Sequence, residues 1–172
     1  CTTFKLGTES GGDFKRITVS NCVMRGMQGT EHSSQGRYDP ANAGVGLMSV
    51  DGSNIDGVAV SNVVMDDIWA PIFIRLGNRG RDMETPLPGT LRNVSIDNVV
   101  ATNAKLAGSI TGIPSCRVEG VSLSNIRITY AGGSNYIAAS EPVPEVEAEY
   151  PESSMFGALT AYGLYIRNVS DL

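Results

Sequence analysis

One phrase of apolar and polar positions recurs along the chain. It reads Phe14-Lys-Arg-Ile-Thr-Val-Ser-Asn-Cys22, Ile55-Asp-Gly-Val-Ala-Val-Ser-Asn-Val63, Leu91-Arg-Asn-Val-Ser-Ile-Asp-Asn-Val99 and Val118-Glu-Gly-Val-Ser-Leu-Ser-Asn-Ile126. An apolar residue and two free positions lead into apolar-free-apolar alternation, then Ser or Asp, Asn, and a final apolar residue. Alternation of period two predicts a strand with one buried face, and the Asn marks a corner. The corner residues Asn21, Asn62, Asn98 and Asn125 stand 41, 36 and 27 residues apart, so the repeat is a unit of at most 27 residues carrying insertions. Such a unit cannot bury its apolar face alone, whereas stacked units can, with equivalent side chains ~4.8 Å apart and the asparagines bonding along the stack.

Between the phrases lies a second strand pattern: Phe4-Lys-Leu6, Val45-Gly-Leu-Met-Ser-Val50, Ile72-Phe-Ile-Arg-Leu76, Ser109-Ile-Thr-Gly-Ile113 and Leu164-Tyr-Ile-Arg167. Alternation predicts Phe4, Leu6, Val45, Leu47, Ile72, Ile74, Leu164 and Ile166 inside, and Lys5, Gly46, Met48, Phe73, Arg75, Tyr165 and Arg167 outward on one parallel sheet. The expected fold is all-β, a right-handed single-stranded parallel β-helix of about five coils forming one domain over residues 1–172. Long insertions at about 25–43, 78–90 and 132–161 are expected to wall the outward sheet into a groove.

Composition narrows the class of partner. The 172 residues are 41% hydrophobic and 18% charged, which suits a domain with a continuous core. Twenty glycines and 6% aromatics fit short strands and frequent turns. A net charge of −5 argues against nucleic acid, whose phosphates need a basic face. No run approaches the ~20 apolar residues of a membrane span. Cys1, Cys22 and Cys116 lack the close Cys/His spacing of a metal site and read as buried small hydrophobes. The sequons at Asn93 and Asn168 fall in strand segments and read as coincidence. A start at Cys1, already in a strand, reads as a truncated sequence.

The phrases Gly7-Thr-Glu-Ser-Gly-Gly-Asp-Phe14, Ala70-Pro-Ile-Phe-Ile-Arg-Leu-Gly-Asn-Arg-Gly80, Ile110-Thr-Gly-Ile-Pro114, Tyr150-Pro-Glu-Ser-Ser-Met-Phe-Gly157 and Ala161-Tyr-Gly-Leu-Tyr-Ile-Arg167 carry a likeness across nearly the whole chain. Together they resemble glycoside hydrolase family 28, the polygalacturonases, in its bacterial branch, with a pectin lyase-like β-helix. The resemblance implies inverting hydrolysis of pectin or a related acidic plant cell-wall polysaccharide of galacturonan or rhamnogalacturonan type. It also implies no cofactor, a monomeric full-length protein and an extracellular or periplasmic location. Inversion takes one carboxylic acid to protonate the leaving oxygen and one carboxylate to activate water from the opposite side. The family carries these in an Asn-Thr-Asp phrase and an Asp-Asp phrase. Neither stands here in its context, so the resemblance implies catalytic aspartates upstream of Cys1 and a fragment inactive alone. Asp66-Asp67 is the weak local substitute, five residues before the groove strand at Ile72. The Gly-His-Gly motif would fall near Cys1-Thr2-Thr3 and the Arg-Ile-Lys motif near Gly46-Leu47-Met48, and both are replaced.

Register reasoning supplies candidate substrate contacts. Arg75 is expected one coil beyond Met48 and Lys5 one coil before it, two cations for uronate carboxylates. Phe73 and Tyr165 offer flat surfaces for a sugar ring. Arg79 and Arg81 follow Arg75 into a local positive patch. Glu9, in the matched Gly-Thr-Glu-Ser phrase, is placed at the groove edge. Each of these also fits a plain ladder or loop residue, and His32 reads as a solvated loop residue. Two other functions remain open: a polysaccharide lyase on the same scaffold, for which no carboxylate set for Ca²⁺ is evident, and a non-catalytic glycan-binding, adhesin or tail-spike protein.

Overall fold

The computed structural model describes residues 2–26, 43–132 and 141–172. Most of the first expected insertion, His32 and Cys1 lie outside these residues. Ten strands form: β1 (Thr2–Leu6), β2 (Asp13–Arg25), β3 (Ala43–Ser49), β4 (Asn54–Asp66), β5 (Ala70–Leu76), β6 (Thr90–Ala104), β7 (Gly108–Thr111), β8 (Val118–Tyr130), β9 (Leu164–Arg167) and β10 (Val169–Ser170). Among the described residues there is no helix, and so none long and apolar enough to cross a membrane. The chain alternates between two five-stranded sheets, ordered β1-β3-β5-β7-β9 and β10-β8-β6-β4-β2, with every pairing parallel.

The recurring phrase occupies β2, β4, β6 and β8 in matched register, Val19 beside Val60, Val60 beside Ile96 and Ile96 beside Leu123. Each corner Asn adopts left-handed backbone, with φ of 56° at Asn21, 55° at Asn62 and 51° at both Asn98 and Asn125. Asn tolerates this region because its short polar side chain bonds locally. Asn62 Nδ2 donates to Asn21 Oδ1 at 3.1 Å, and Asn98 Nδ2 donates to Asn62 Oδ1 at 2.8 Å. The last member departs from the ladder, for Asn125 Nδ2 donates instead to Asp97 Oδ1 at 2.9 Å. A second bend, at the third position of the phrase, is also left-handed: Arg16, Gly57, Asn93 and Gly120 all have positive φ. The long strands therefore turn twice. Asn93 combines this bend with a 2.7 Å hydrogen bond from its Nδ2 to Asp56 Oδ1 on the neighbouring strand.

Inward side chains of the middle strands are fully enclosed, with Ile55, Val58, Val60, Val63 and Met65 of β4 and Leu91, Val94, Ile96, Val99 and Ala101 of β6 at most 2% exposed. They meet Val45, Leu47, Ile72, Ile74 and Ile110 of the other sheet in one core. Each fully buried aliphatic side chain contributes about 1.5–3 kcal/mol. At the ends of the stack the same positions are only partly covered: Phe14, Ile17, Val19 and Cys22 in β2, and Leu123, Ile126 and Ile128 in β8. Ile166, expected inside, is 39% exposed because β9 is the last strand of its sheet. Cys22 and Cys116 are free thiols and half-buried rather than buried.

On the solvent face of the phrase strands, Lys15, Asp56, Arg92 and Glu119 stand in register on four successive strands, alternating in sign. Arg92 donates to Asp56 Oδ2 through Nε at 3.0 Å and Nη2 at 2.9 Å.

The outward face of the other sheet departs from expectation. Met48, Phe73 and Arg75 point away from the main core as alternation requires, yet are at most 2% exposed. Residues 141–159 lie across them, and Val143, Val146, Met155, Phe156 and Leu159 pack with Met48 and Phe73 in a second apolar cluster. The third expected insertion thus covers this part of the sheet rather than walling an open groove.

Candidate functional site

Strands β1, β3 and β5 end side by side, and the turns that follow them stack. Gly77 N donates to Ser49 O at 2.8 Å, while Arg79 N and Gly80 N donate to Val50 O at 2.7 and 3.0 Å. Gly7, with φ of 95°, passes so close to β3 that a Cβ would lie 1.9 Å from Met48 O. These turns carry Glu9, Asp51, Arg79 and Arg81 to one end of the sheet.

Asp51, 4% exposed, organises the cluster. Its Oδ1 accepts from Arg79 Nε at 2.9 Å and from the Arg81 amide at 3.0 Å, and its Oδ2 accepts from Arg79 Nη2. Burial alone would raise the Asp51 pKa, but the Arg79 fork and the Arg81 amide outweigh it and hold the carboxyl below its ordinary value. The hydrogen bond to Asp51 correspondingly pushes the Arg79 pKa up against the effect of its own burial. Glu9 Oε1 accepts from Arg81 Nη1 and lies 4.0 Å from Arg79 Nη2.

Tyr150, from the covering segment, closes the other side. Its hydroxyl accepts from Lys5 Nζ at 3.1 Å, and its ring centroid is 5.4 Å from Lys5 Nζ and 5.2 Å from Arg79 Cζ. Cation–π geometry of this kind holds the ring in place. Lys5 stays exposed and Tyr150 is 42% exposed, so an exposed ammonium and a half-open aromatic face lie together at the sheet end. Nearby, Glu9, Ser10, Gly11, Asp51, Arg81, Asp82 and Met83 line a cleft of about 360 Å³.

Of the residues singled out in the sequence, Lys5, Glu9, Arg79 and Arg81 come together here. Phe73, Arg75 and Tyr165 do not. Arg75 is wholly buried: Nη1 donates to Thr111 Oγ1 at 3.3 Å and Gly112 O at 3.2 Å, and Nη2 donates to Glu145 O at 2.7 Å and Val146 O at 3.2 Å. Its guanidinium is occupied by backbone carbonyls and has no open face for a sugar acid. Burial first, then the charge of Arg167, pushes its pKa down to about 10, with Glu145 and Glu147 opposing. Phe73 is enclosed by the same cover, and Tyr165 is half-buried against Phe156, ring centroids 6.2 Å apart. The register expectation for Lys5 also shifts, since Lys5 pairs with Gly46 while Met48 pairs with Arg75. The expected positive patch is neutralised, Arg79 by Asp51 and Arg81 by Glu9.

Asp66 and Asp67 stand at the opposite end of β5 from Arg79. Asp66 Oδ1 accepts from Thr102 Oγ1 at 2.9 Å, and Asp67 Oδ1 accepts from Asn103 Nδ2 at 2.8 Å and lies 3.2 Å from Lys105 Nζ. Both take part in links between neighbouring strands. Sequence reasoning missed Asp51 and the role of Tyr150. Asp51 follows β3 just as Arg79 follows β5, and Tyr150 opens one of the quoted phrases, so both carried a positional signal. Among the described residues no group of three or more His, Cys, Asp or Glu is arranged to hold a metal ion. No family model, curated protein or solved structure matches the chain.

Proposed function

We propose that the two parallel sheets are the rungs of a right-handed, single-stranded, pectin lyase-like β-helix, and that the protein is the substrate-gripping part of a polygalacturonase-like glycoside hydrolase. Its substrate on this reading is pectin or a related acidic polysaccharide. The observation that carries the reading is the pairing of an exposed ammonium with a half-open aromatic ring, Lys5 and Tyr150, at the end of a parallel sheet. A uronate residue has a carboxylate for the ammonium and an apolar ring face for the tyrosine. The family likeness of the Gly7 to Phe14 and Tyr150 to Gly157 phrases, which flank these side chains, supports the same substrate class. Catalytic aspartates are assigned to sequence preceding Cys1, and the location to the extracellular or periplasmic space.

One observation favours non-catalytic glycan binding as a second reading: Glu9 and Asp51, the carboxylates beside Arg79, are both engaged by arginines rather than poised around a bond. Calorimetric titration with an oligomer of galacturonic acid, with a parallel assay for new reducing ends, tests the reading. Binding that weakens with salt and falls about tenfold in Lys5→Ala is expected, without cleavage by this chain. Absence of binding, or formation of an unsaturated product absorbing in the ultraviolet, overturns it, the latter in favour of a lyase.

A further inference from the structure

The segment over the outward sheet, residues 141–159, is fastened differently from the core beneath it. It contains no strand and adds no rung to the sheet. Its main-chain carbonyls are held by the side chains of Arg75 and Arg167 and by the Asn78 amide, which donates to Glu147 O at 2.8 Å. Four buried polar atoms under it, Arg75 Nε, Arg167 Nε, Asn78 Oδ1 and Ser109 Oγ, make no hydrogen bond. Water reaching them on opening would supply those bonds, which makes lifting the segment less costly than parting the apolar core.

Glycines bracket the anchored stretch from Val143 to Phe156. Among the described residues, Gly132, Gly157 and Gly163 are the glycines at which a Cβ would meet nothing within 4 Å, so packing does not require them. Gly132 and Gly157 have φ of 78° and 66°. Unencumbered glycines before and after the stretch let the backbone pivot against a rigid sheet. Tyr150 lies within the stretch. Its contacts with Lys5 and Arg79 therefore exist only while the segment is down, and the exposed carboxylates of Glu149 and Glu152 travel with it. Closure sets both the aromatic face and the charge around Lys5.

We infer that residues 141–159 are a hinged strap whose closure assembles the Lys5–Tyr150 site, so that a ligand bound there and the closed strap stabilise each other. The coupling rests on the glycan-binding reading above, and by linkage it runs equally in both directions. Its test is residue-resolved hydrogen exchange of the unsubstituted 172-residue chain, with and without a hexasaccharide of galacturonic acid whose binding is followed by calorimetry. The Asn78 amide is bonded to the strap, whereas the amides on either side, Gly77 and Arg79, donate to Ser49 O and Val50 O within the stacked turns. Asn78 is expected to be about tenfold less protected than both neighbours. Saturating hexasaccharide is expected to slow its exchange about tenfold and to leave Gly77 and Arg79 unchanged. Phe156→Ala removes the ring that lies against Arg75 on β5 and Arg167 on β9, two and four strands from Lys5 on β1. It is expected to speed Asn78 exchange and to weaken hexasaccharide binding about threefold, because less of the protein is in the binding-competent state. Equal protection at the three amides overturns the hinge. Binding that leaves Asn78 exchange unchanged, or a folded Phe156→Ala variant that binds as tightly as the parent, overturns the coupling and spares the glycan reading. Should Phe156→Ala not fold, the measurements on the unsubstituted chain decide alone. If the hexasaccharide does not bind, both the reading and the coupling fall.

Discussion

Arg75 and Arg167 stand on either side of Thr111 in one ladder of the sheet and together hold four consecutive backbone carbonyls of the covering segment. Arg167 Nη1 donates to Val143 O at 2.7 Å and Nη2 to Pro144 O at 2.9 Å, while Arg75 Nη2 takes Glu145 O and Val146 O. Phe156 lies beneath both, its ring centroid 5.4 Å from Arg75 Cζ and 5.6 Å from Arg167 Cζ.

Arg75→Ala removes a buried cation and strips partners from three carbonyls at once. The expected loss is about 3 kcal/mol in urea unfolding, with faster proteolysis at residues 141–157 than elsewhere. Loss of stability without preferential cleavage there would show that the segment is held by its apolar contacts alone.

The carboxylates set the acid limit. Asp51 has its pKa lowered by the arginine contacts that outweigh burial, while Asp13, Asp56 and Asp97 have theirs lowered chiefly by side-chain hydrogen bonds from Lys15, Asn93 and Ser124 respectively. As pH falls past the ordinary value of 3.8 the unfolded chain takes up protons before the folded one does. Stability is therefore present above that value and is lost as pH drops through the depressed values below it. Urea midpoints are expected to be level from about pH 7 to 5 and to fall below about pH 4, more shallowly in Asp51→Asn.

Asn62 is the middle of its ladder and also left-handed. Asn62→Gly keeps the backbone accessible and loses two hydrogen bonds, whereas Asn62→Ala loses the bonds and adds backbone strain. Costs of about 1 and 2.5 kcal/mol respectively are expected from chemical denaturation. Equal costs would mean that the corner backbone is not under strain.

Gly7→Ala places a methyl group against Met48 O with φ on the wrong side for alanine. A loss of about 3 kcal/mol is expected. Lys5 and Glu9 flank this residue, so uronate affinity should fall together with the thermal midpoint.

Much of this architecture was legible because burial in a stack imposes period two. Ile72 and Ile74 had to face one way, and the corner asparagines had to align for their amides to meet. The fate of the other face was hidden. Alternation says that Phe73 and Arg75 leave the core but not what lies over them, and the segment that covers them has no periodicity, being anchored by backbone carbonyls that any sequence possesses. The Lys5 register failed for a related reason, since the count from β1 to β3 runs through a long insertion. Asp51 and Arg79 are 28 residues apart, and their contact exists only because two turns stack. Arg16 concealed the second bend, which Gly57, Asn93 and Gly120 show in the other repeats.

Near-identical phrases bring a hazard that the charged ladder answers. A folding chain offers β2 several similar strands, and pairing it with β6 while leaving β4 out would still set Asn21 beside Asn98 and one aliphatic row against another. It would also set Lys15 beside Arg92, and skipping β6 would likewise bring Asp56 to Glu119. Directly opposed like charges destabilise a strand pair, so the alternation of Lys15, Asp56, Arg92 and Glu119 works as a parity check. Each strand accepts its immediate neighbour and rejects the one after it, which lets loops of very different length separate the repeats without scrambling their order.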